Sequence, residues 1–276
     1  MTINIKGKLL DLSPPKIMGI LNVTPDSFYD GGKYNSEKKI LDQVEKMIND
    51  GADIIDVGGY SSRPGAKQVK LEDEIKRVVP VIKLIKNKFS ETVISVDTFR
   101  SKVAQKAVDS GASVVNDISA GELDPDMFKC IAELNVPYIL MHMIGNPENM
   151  QDKPTYKHVV NEIVKNLSEK IFLAREAGIM DVIIDPGFGF GKTLNHNYEI
   201  LNNLSFFKEL ECPILVGVSR KSMIYKLLGN EPENALNGTT CLNTVSVLSG
   251  ANILRVHDVK EAKEVVELTN FLKKNT

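Results

Sequence analysis

Eight apolar runs rich in β-branched residues, each followed by a polar or glycine-rich turn and a stretch of helical character, predict a (β/α)8 barrel for this 276-residue chain. Two further observations favour the barrel. The runs are apolar nearly throughout, as expected of parallel strands covered on their outer side. Eight such units are more than a doubly wound sheet usually holds, and no linker is long enough to divide the chain, so one domain over residues 1–276 is expected.

In order, the expected strands are KIMGILNV (16–23), DIIDV (53–57), VISVD (93–97), VVND (114–117), VPYILMH (136–142), VIID (182–185), ILVGV (214–218) and ILRVH (253–257). Between them lie helix-like stretches such as SEKKILDQVEKMIND, LEDEIKRVVPVIKLIKNK, SKVAQKAVDSG, TYKHVVNEIVKNLSEKIFLAREAG and LNHNYEILNNLSFFKEL. A last helix, VKEAKEVVELTNFLKK, follows the final strand.

Bulk composition excludes several classes of function. Hydrophobic residues at 42% and charged residues at 25% suit a chain with a sizeable buried core rather than disorder. Lys+Arg 34 against Asp+Glu 36 gives a formal charge of −2, so no bulk attraction draws a nucleic acid or an anionic membrane surface. Any anion must be bound locally. Cys130, Cys212 and Cys241 are far apart and form no CxxC, which suits reduced packing residues and not a disulfide framework or zinc site. The N-terminal residues lack a secretory apolar core and no later run is long enough to span a bilayer, so a cytoplasmic protein is expected.

In such a barrel, catalytic groups sit at the C-terminal ends of the strands and in the loops beyond. The expected ends carry Asn22, Asp56, Asp97, Asn116 with Asp117, Met141 with His142, Asp185, Ser219 with Lys221, and Arg255 with His257. Asp or Asn at any one of these positions has an alternative role as a helix cap or turn residue. The recurrence of polar groups at most strand ends favours a polar bowl. Within it Asp97, Asp185 and the Asn116 amide suit a flat heterocycle with an N–C–N edge, because a carboxylate accepts two parallel N–H bonds. Ile118, Met141 and Phe190 are candidate apolar faces for that ring, though Met141 and Met143 equally suit the core. Arg63, Lys221, Arg255 and His257 form a cationic set suited to a diphosphate. Asn22 is a candidate Mg²⁺ ligand, or simply the residue that orders the turn at Thr24-Pro25.

Residues 185–193, DPGFGFGKT, approach a nucleotide-binding P-loop but put Pro186 where the first glycine belongs, and proline has no N–H for a phosphate. The loops NVTPDSFYDGG (22–32) and GGYSSRPGA (58–66) are long for turns and suit covers over a ligand.

At this point the chain resembles the dihydropteroate synthase family. The resemblance rests on MGILNVTPDSFYDGG, GADIIDVGGYSSRPGA, SVDTFR, GASVVNDISAG, LMHMIGNPENMQ, DPGFGFGKT, VGVSRKS and RVHD, which together run over almost the whole chain. The first two segments are the most specific. Two positions depart from the family pattern: Tyr60 stands where an acid is usual, and Ser62 where threonine is usual.

The resemblance implies a barrel that joins 6-hydroxymethyl-7,8-dihydropterin diphosphate to 4-aminobenzoate, as a homodimer. It implies Asp97, Asn116, Asp185, Gly217 and Lys221 around the pterin, Asn22 on Mg²⁺, and Ser62, Arg63, Arg255 and His257 on the diphosphate. Pro25, Phe28, Pro64, Phe190, Ser219 and the Lys221 stem would line the aminobenzoate pocket. A pterin-dependent methyltransferase is a rival on the same fold but has no use for the diphosphate cations. A catalytically dead scaffold is a rival of another class, and the full set of polar strand ends argues against it.

Overall fold

The computed structural model describes residues 1–23, 33–60, 69–145, 150 and 154–275. Two short strands come first: β1 (Thr2–Ile5) and β2 (Lys8–Asp11) form an antiparallel hairpin absent from the sequence-based expectation. Its turn residues Lys6 and Gly7 have φ of 49° and 88°, the left-handed pair that a two-residue hairpin turn requires.

Eight parallel strands follow: β3 (Lys16–Asn22), β4 (Ile54–Gly58), β5 (Val93–Asp97), β6 (Val114–Asp117), β7 (Tyr138–Met141), β8 (Val182–Asp185), β9 (Leu215–Val216) and β10 (Ile253–Val256). Their hydrogen-bonded order is β8-β7-β6-β5-β4-β3-β10-β9. A parallel bridge between Ile184 and Ile214 joins β8 to the chain entering β9 and closes the ring. The predicted (β/α)8 barrel is therefore present. The expected strand 214–218 shortens to Leu215–Val216, because Gly217 and beyond leave the ladder.

The outer ring contains α1 (Lys33–Asn49), α2 (Leu71–Lys88), α3 (Ser101–Asp109), α4 (Met127–Leu134), α5 (Val159–Glu176), α6 (Leu194–Asn202), α7 (Ser222–Tyr225), α8 (Leu236–Ser249) and α9 (Val259–Lys274). The stretch 194–210, expected as one helix, divides at Asn203 into α6 and a 3-10 helix, Leu204–Leu210.

Side chains alternate along each strand, and the two faces separate cleanly. Outward residues such as Ile55, Val57, Ile94, Val96, Leu140, Ile184, Leu254 and Val256 join the helices in one large apolar shell. Inward residues Met18, Ile54, Val114, Ile139, Ile183, Leu215 and Ile253 form a second cluster with Ile3 and Leu12 of the N-terminal segment. That segment thus plugs the N-terminal end of the barrel, and the open end is the C-terminal one.

Candidate active site

Two residues past the floor, the same inward face becomes polar. Ile54 gives way to Asp56, Val114 to Asn116, Ile183 to Asp185, and Ile253 to Arg255, while Val93 is followed by Ser95 and then Asp97. Period-two geometry therefore places Asp56, Asp97, Asn116, Met141, Asp185, Arg255 and His257 on one parity. Asp117 and His142, counted with the bowl in the sequence reading, have the opposite parity. Asp117 faces the helical shell: it accepts from Ser119 N–H and O–H, Gly121 N–H and the Tyr138 hydroxyl, the last at 2.5 Å.

The mouth is held by an ion-pair network. Arg255 donates from Nε to Asp56 Oδ2 at 2.6 Å and from Nη2 to Asp97 Oδ2 at 2.7 Å. Asn116 Nδ2 donates to the same Asp56 oxygen at 3.1 Å. Burial disfavours the Arg255 charge, yet Asp56 and Asp97 more than offset this and hold its pKa above the ordinary value. Burial pushes Asp97 up to about 7 against the pull of Arg255. It raises Asp185 as well, opposed first by Lys221. Lys221 is brought down to about 8 by burial, with Asp185 resisting. Its ammonium donates to the Phe188 carbonyl at 2.5 Å and lies 4.8 Å from the centre of the Phe190 ring.

An apolar wall faces these charges. Ile118, Met141, Met143 and Met150 are buried together, with Phe99 and Phe190 packed against them. Polar edge and apolar face therefore coexist in one mouth, as a flat heterocycle requires. On the β9 and β10 side, Ser219 Oγ and His257 Nδ1 lie 3.1 Å apart, and the His257 backbone N–H donates to the same hydroxyl. Gly217 leaves space there: a Cβ on it would lie 3.8 Å from both Arg255 Cβ and Lys221 Nζ.

The loop 185–193 is not a phosphate cradle. Its Gly187 N–H is turned onto Asp185 Oδ1 at 2.7 Å, and its Gly189 N–H onto Asn197 Oδ1 at 2.7 Å. Lys192 is buried, and its ammonium meets the Phe190 carbonyl at 2.9 Å, His142 Nδ1 at 3.0 Å and the His142 carbonyl at 3.2 Å. All three ammonium donors have protein acceptors. Gly187, at φ 73°, passes so close to β7 that a Cβ would collide with the His142 carbonyl. The loop is built to bring backbone and Phe190 up to the mouth.

Pro25, Phe28, Ser62, Arg63 and Pro64 lie outside the described residues. The chain on either side of residues 61–68 is firmly held. Arg77 donates to the Gly59 carbonyl at 3.0 Å, and Arg100 donates to the Val69 carbonyl at 2.8 Å and to buried Glu74 at 2.6 Å. The Tyr60 ring meets Phe99 edge-on at 5.2 Å with the Arg100 guanidinium 5.6 Å from its own centre. The aromatic at position 60 thus makes a ring contact with Phe99 that an acid could not make.

Asn22 ends β3 beside Gly58. Its Oδ1 and the Asp97 Oδ2 lie 3.7 and 3.6 Å from the point a Cβ on Gly58 would occupy, so two hard oxygens flank that glycine. Among the described residues no group of three His, Cys, Asp or Glu side chains is arranged as a metal cluster.

The sequence places Asp56 among the polar strand ends but assigns it no ligand or partner, and it gives no role to Lys192, Glu74 or Arg100. For Asp56 the signal was present: in DIIDV it follows Ile54 by two residues and so shares the inward face with a floor residue. The Lys192 and Glu74 contacts cross between elements and leave no local pattern.

The sequence profile described as pterin binding enzyme matches residues 18–257. The dihydropteroate synthase of Escherichia coli strain K12 is 46% identical over 280 residues, covering 100% of this chain and 99% of its own. The crystal structure of the Yersinia pestis dihydropteroate synthase, in a sulfonamide drug complex, superimposes with a TM-score of 0.93 at 40% identity, covering 99% of this chain and 100% of that one. The Xanthomonas albilineans dihydropteroate synthase with 4-aminobenzoic acid gives a TM-score of 0.91 at 39% identity, covering 99% of this chain and 98% of that one.

Proposed function

We infer how this mouth works from one premise, that the chain belongs to the dihydropteroate synthases among the pterin-binding enzymes. It is a transferase of folate biosynthesis that joins 6-hydroxymethyl-7,8-dihydropterin diphosphate to 4-aminobenzoate, giving 7,8-dihydropteroate and diphosphate. The observation that carries the assignment of residues is the inward layer of Asp97, Asn116, Asp185, Lys221 and Arg255 set against the wall of Ile118, Met141 and Phe190.

Asp185 offers the pterin edge its Oδ2 and the free side of Oδ1, since Gly187 uses only one lone pair. Asn116 and Asp97 bind the opposite edge of the ring. Lys221 donates to the ring beside Gly217, while its stem bounds the aminobenzoate pocket with Ser219, Phe190, Pro25, Phe28 and Pro64 as the other walls. Ser62, Arg63, Arg255 and His257 hold the diphosphate. The methylene C–O bond breaks with its electron pair going to the diphosphate oxygen, and the positive charge left on carbon spreads into the electron-rich ring. The arylamine lone pair then forms the C–N bond and its proton passes to solvent. Cations fixed near the departing oxygens lower the barrier most, because they meet charge that develops only as the bond breaks. A neutral arylamine is already nucleophilic, so its orientation against the methylene contributes more than a base would.

Mg²⁺ fits at Asn22, whose neutral amide oxygen faces the same glycine as the Asp97 carboxylate; the ion takes few protein ligands and keeps waters. When bound it neutralises charge on the diphosphate. The same reading makes the chain a cytoplasmic homodimer working as one domain. Free thiols at Cys130, Cys212 and Cys241 support the compartment. Exposed Val245 and Leu248 on α8, next to Leu268, Phe271 and Leu272 on α9, support the dimer, since adjacent exposed apolar residues mark contact surfaces. Sulfonamides, as 4-aminobenzoate mimics, compete for the second pocket.

The test is diphosphate release measured with and without 4-aminobenzoate and Mg²⁺. Release that requires both, with dihydropteroate recovered in equal amount, is expected. Equal release without the amine would contradict the assignment.

A further inference from the structure

Arg255 stands between two carboxylates that differ in kind. The Asp56 side chain is 0% exposed and the Asp97 side chain is 12% exposed. Asp56 Oδ2 takes bonds from both Arg255 Nε and Asn116 Nδ2, so one oxygen on β4 ties β10 to β6 across the barrel interior. Its Oδ1 is buried and meets no hydrogen-bond donor among the described residues. Asp97, nearer the opening, accepts from Arg255 Nη2 through Oδ2, and this is the outer of the two Arg255 contacts.

We propose that Asp56 is a positioning residue that keeps Arg255 and Asn116 in place in both the free and the substrate-bound enzyme, so that Asp97 alone exchanges its bond to Arg255 for one to substrate. The inference rests on the pterin and diphosphate roles assigned above. It predicts a division of labour: the Nε bond to Asp56 is permanent, and the Nη2 bond to Asp97 is given up on binding. Without Asp56, Arg255 would follow Asp97 or swing out of the mouth, and Asn116 would lose its orientation.

The experiment compares wild type, Asp56→Asn, Arg255→Ala and the double variant. It records calorimetric binding of 6-hydroxymethylpterin, steady-state turnover, and melting as a control for folding. Asp56→Asn is expected to weaken pterin binding and lower kcat at least about tenfold each, with the KM for 4-aminobenzoate within about twofold. In the Arg255→Ala background the kcat loss is expected to shrink below about threefold, because the residue through which Asp56 acts is gone. Losses that multiply fully in the double variant, or unchanged binding and kcat in a folded Asp56→Asn protein, would overturn the proposal.

Should the variants fail to fold, the wild type still decides. The Arg255 Nε–H resonance, assigned by its disappearance in Arg255→Lys or by sequential labelling, is expected to exchange slowly with water before and after saturation with 6-hydroxymethylpterin. Rapid exchange in the free protein, or onset of it on binding, would refute a permanent bond. A wild type that binds no pterin would instead refute the functional assignment, while the free-protein resonance would still report on the Asp56 contact.

Discussion

The floor and the mouth of the barrel are built by the same strands on the same inward parity, two residues apart, and their chemistry is opposite. The floor is aliphatic and sealed by Ile3 and Leu12. The mouth gathers Asp56, Asp97, Asp185, Arg255 and Lys221, with Asp97, Asp185 and Lys221 all shifted by burial toward their neutral forms. The contrast shows where stability and function reside. Aliphatic burial favours folding, whereas carboxylates and cations withdrawn from water oppose it unless pairing compensates. The mouth is tolerated because the floor and the outer shell hold the strands regardless.

The largest effect that would sharpen this contrast is at the floor. Ile183→Ala should lower folding stability by about 2–5 kcal/mol, as for other large-to-small core changes, yet leave the pterin affinity of the folded protein within about twofold. Denaturant titration beside calorimetry checks both; an equal loss of affinity would mean that the floor shapes the site. Lys192→Met, behind the mouth, is intermediate. It leaves the Phe190 and His142 carbonyls without their donor, at a cost of about 1–3 kcal/mol, and should raise the KM for the pterin substrate about tenfold because the loop carries Phe190. A lowered melting temperature with an unchanged KM would assign Lys192 to folding only.

The smallest effect is on pH dependence. Lys221 loses its proton near pH 8 rather than near its ordinary 10.5, so its charge is present below about 8 and lost as pH rises through it. The kcat/KM profile should therefore have a descending limb near pH 8 that is missing from the weaker Lys221→Met enzyme. A limb that persists in that variant would belong to another group.

Much of this contrast was legible in the sequence, and what was not has physical causes. The eight barrel strands were visible because a strand buried on both faces is apolar throughout. The inward set was only half legible: Asp117 and His142 stand at strand ends like Asn116 and Met141, and only the parity of each strand separates them. The hairpin TINIKGKLLD is hard to see because its short strands mix polar and apolar residues and lack the continuous apolar run of the barrel strands. Helix α8 was passed over for a different reason. Its buried positions include Thr239, Asn243 and Ser246, so it lacks the apolar stripe by which helices are recognised. Helix α4, only 8 residues long, is implied by the count of eight units and not by a pattern of its own. The ion pairs of Arg255 join residues 158 and 199 positions apart, beyond the reach of any local pattern.

The most direct test of the account uses the residue two positions past Ile183. Burial raises the Asp185 pKa, so the folded state holds that proton more tightly than the unfolded state, and ionised Asp185 opposes folding at neutral pH. Asp185→Asn keeps the shape and an acceptor for the Gly187 N–H but loses the double acceptor for the pterin edge. Urea unfolding and 6-hydroxymethylpterin calorimetry on this one variant should show stability unchanged or raised and pterin binding weakened by roughly 2–4 kcal/mol. Stability lost with affinity retained would contradict the assignment of the mouth to function and the floor to folding.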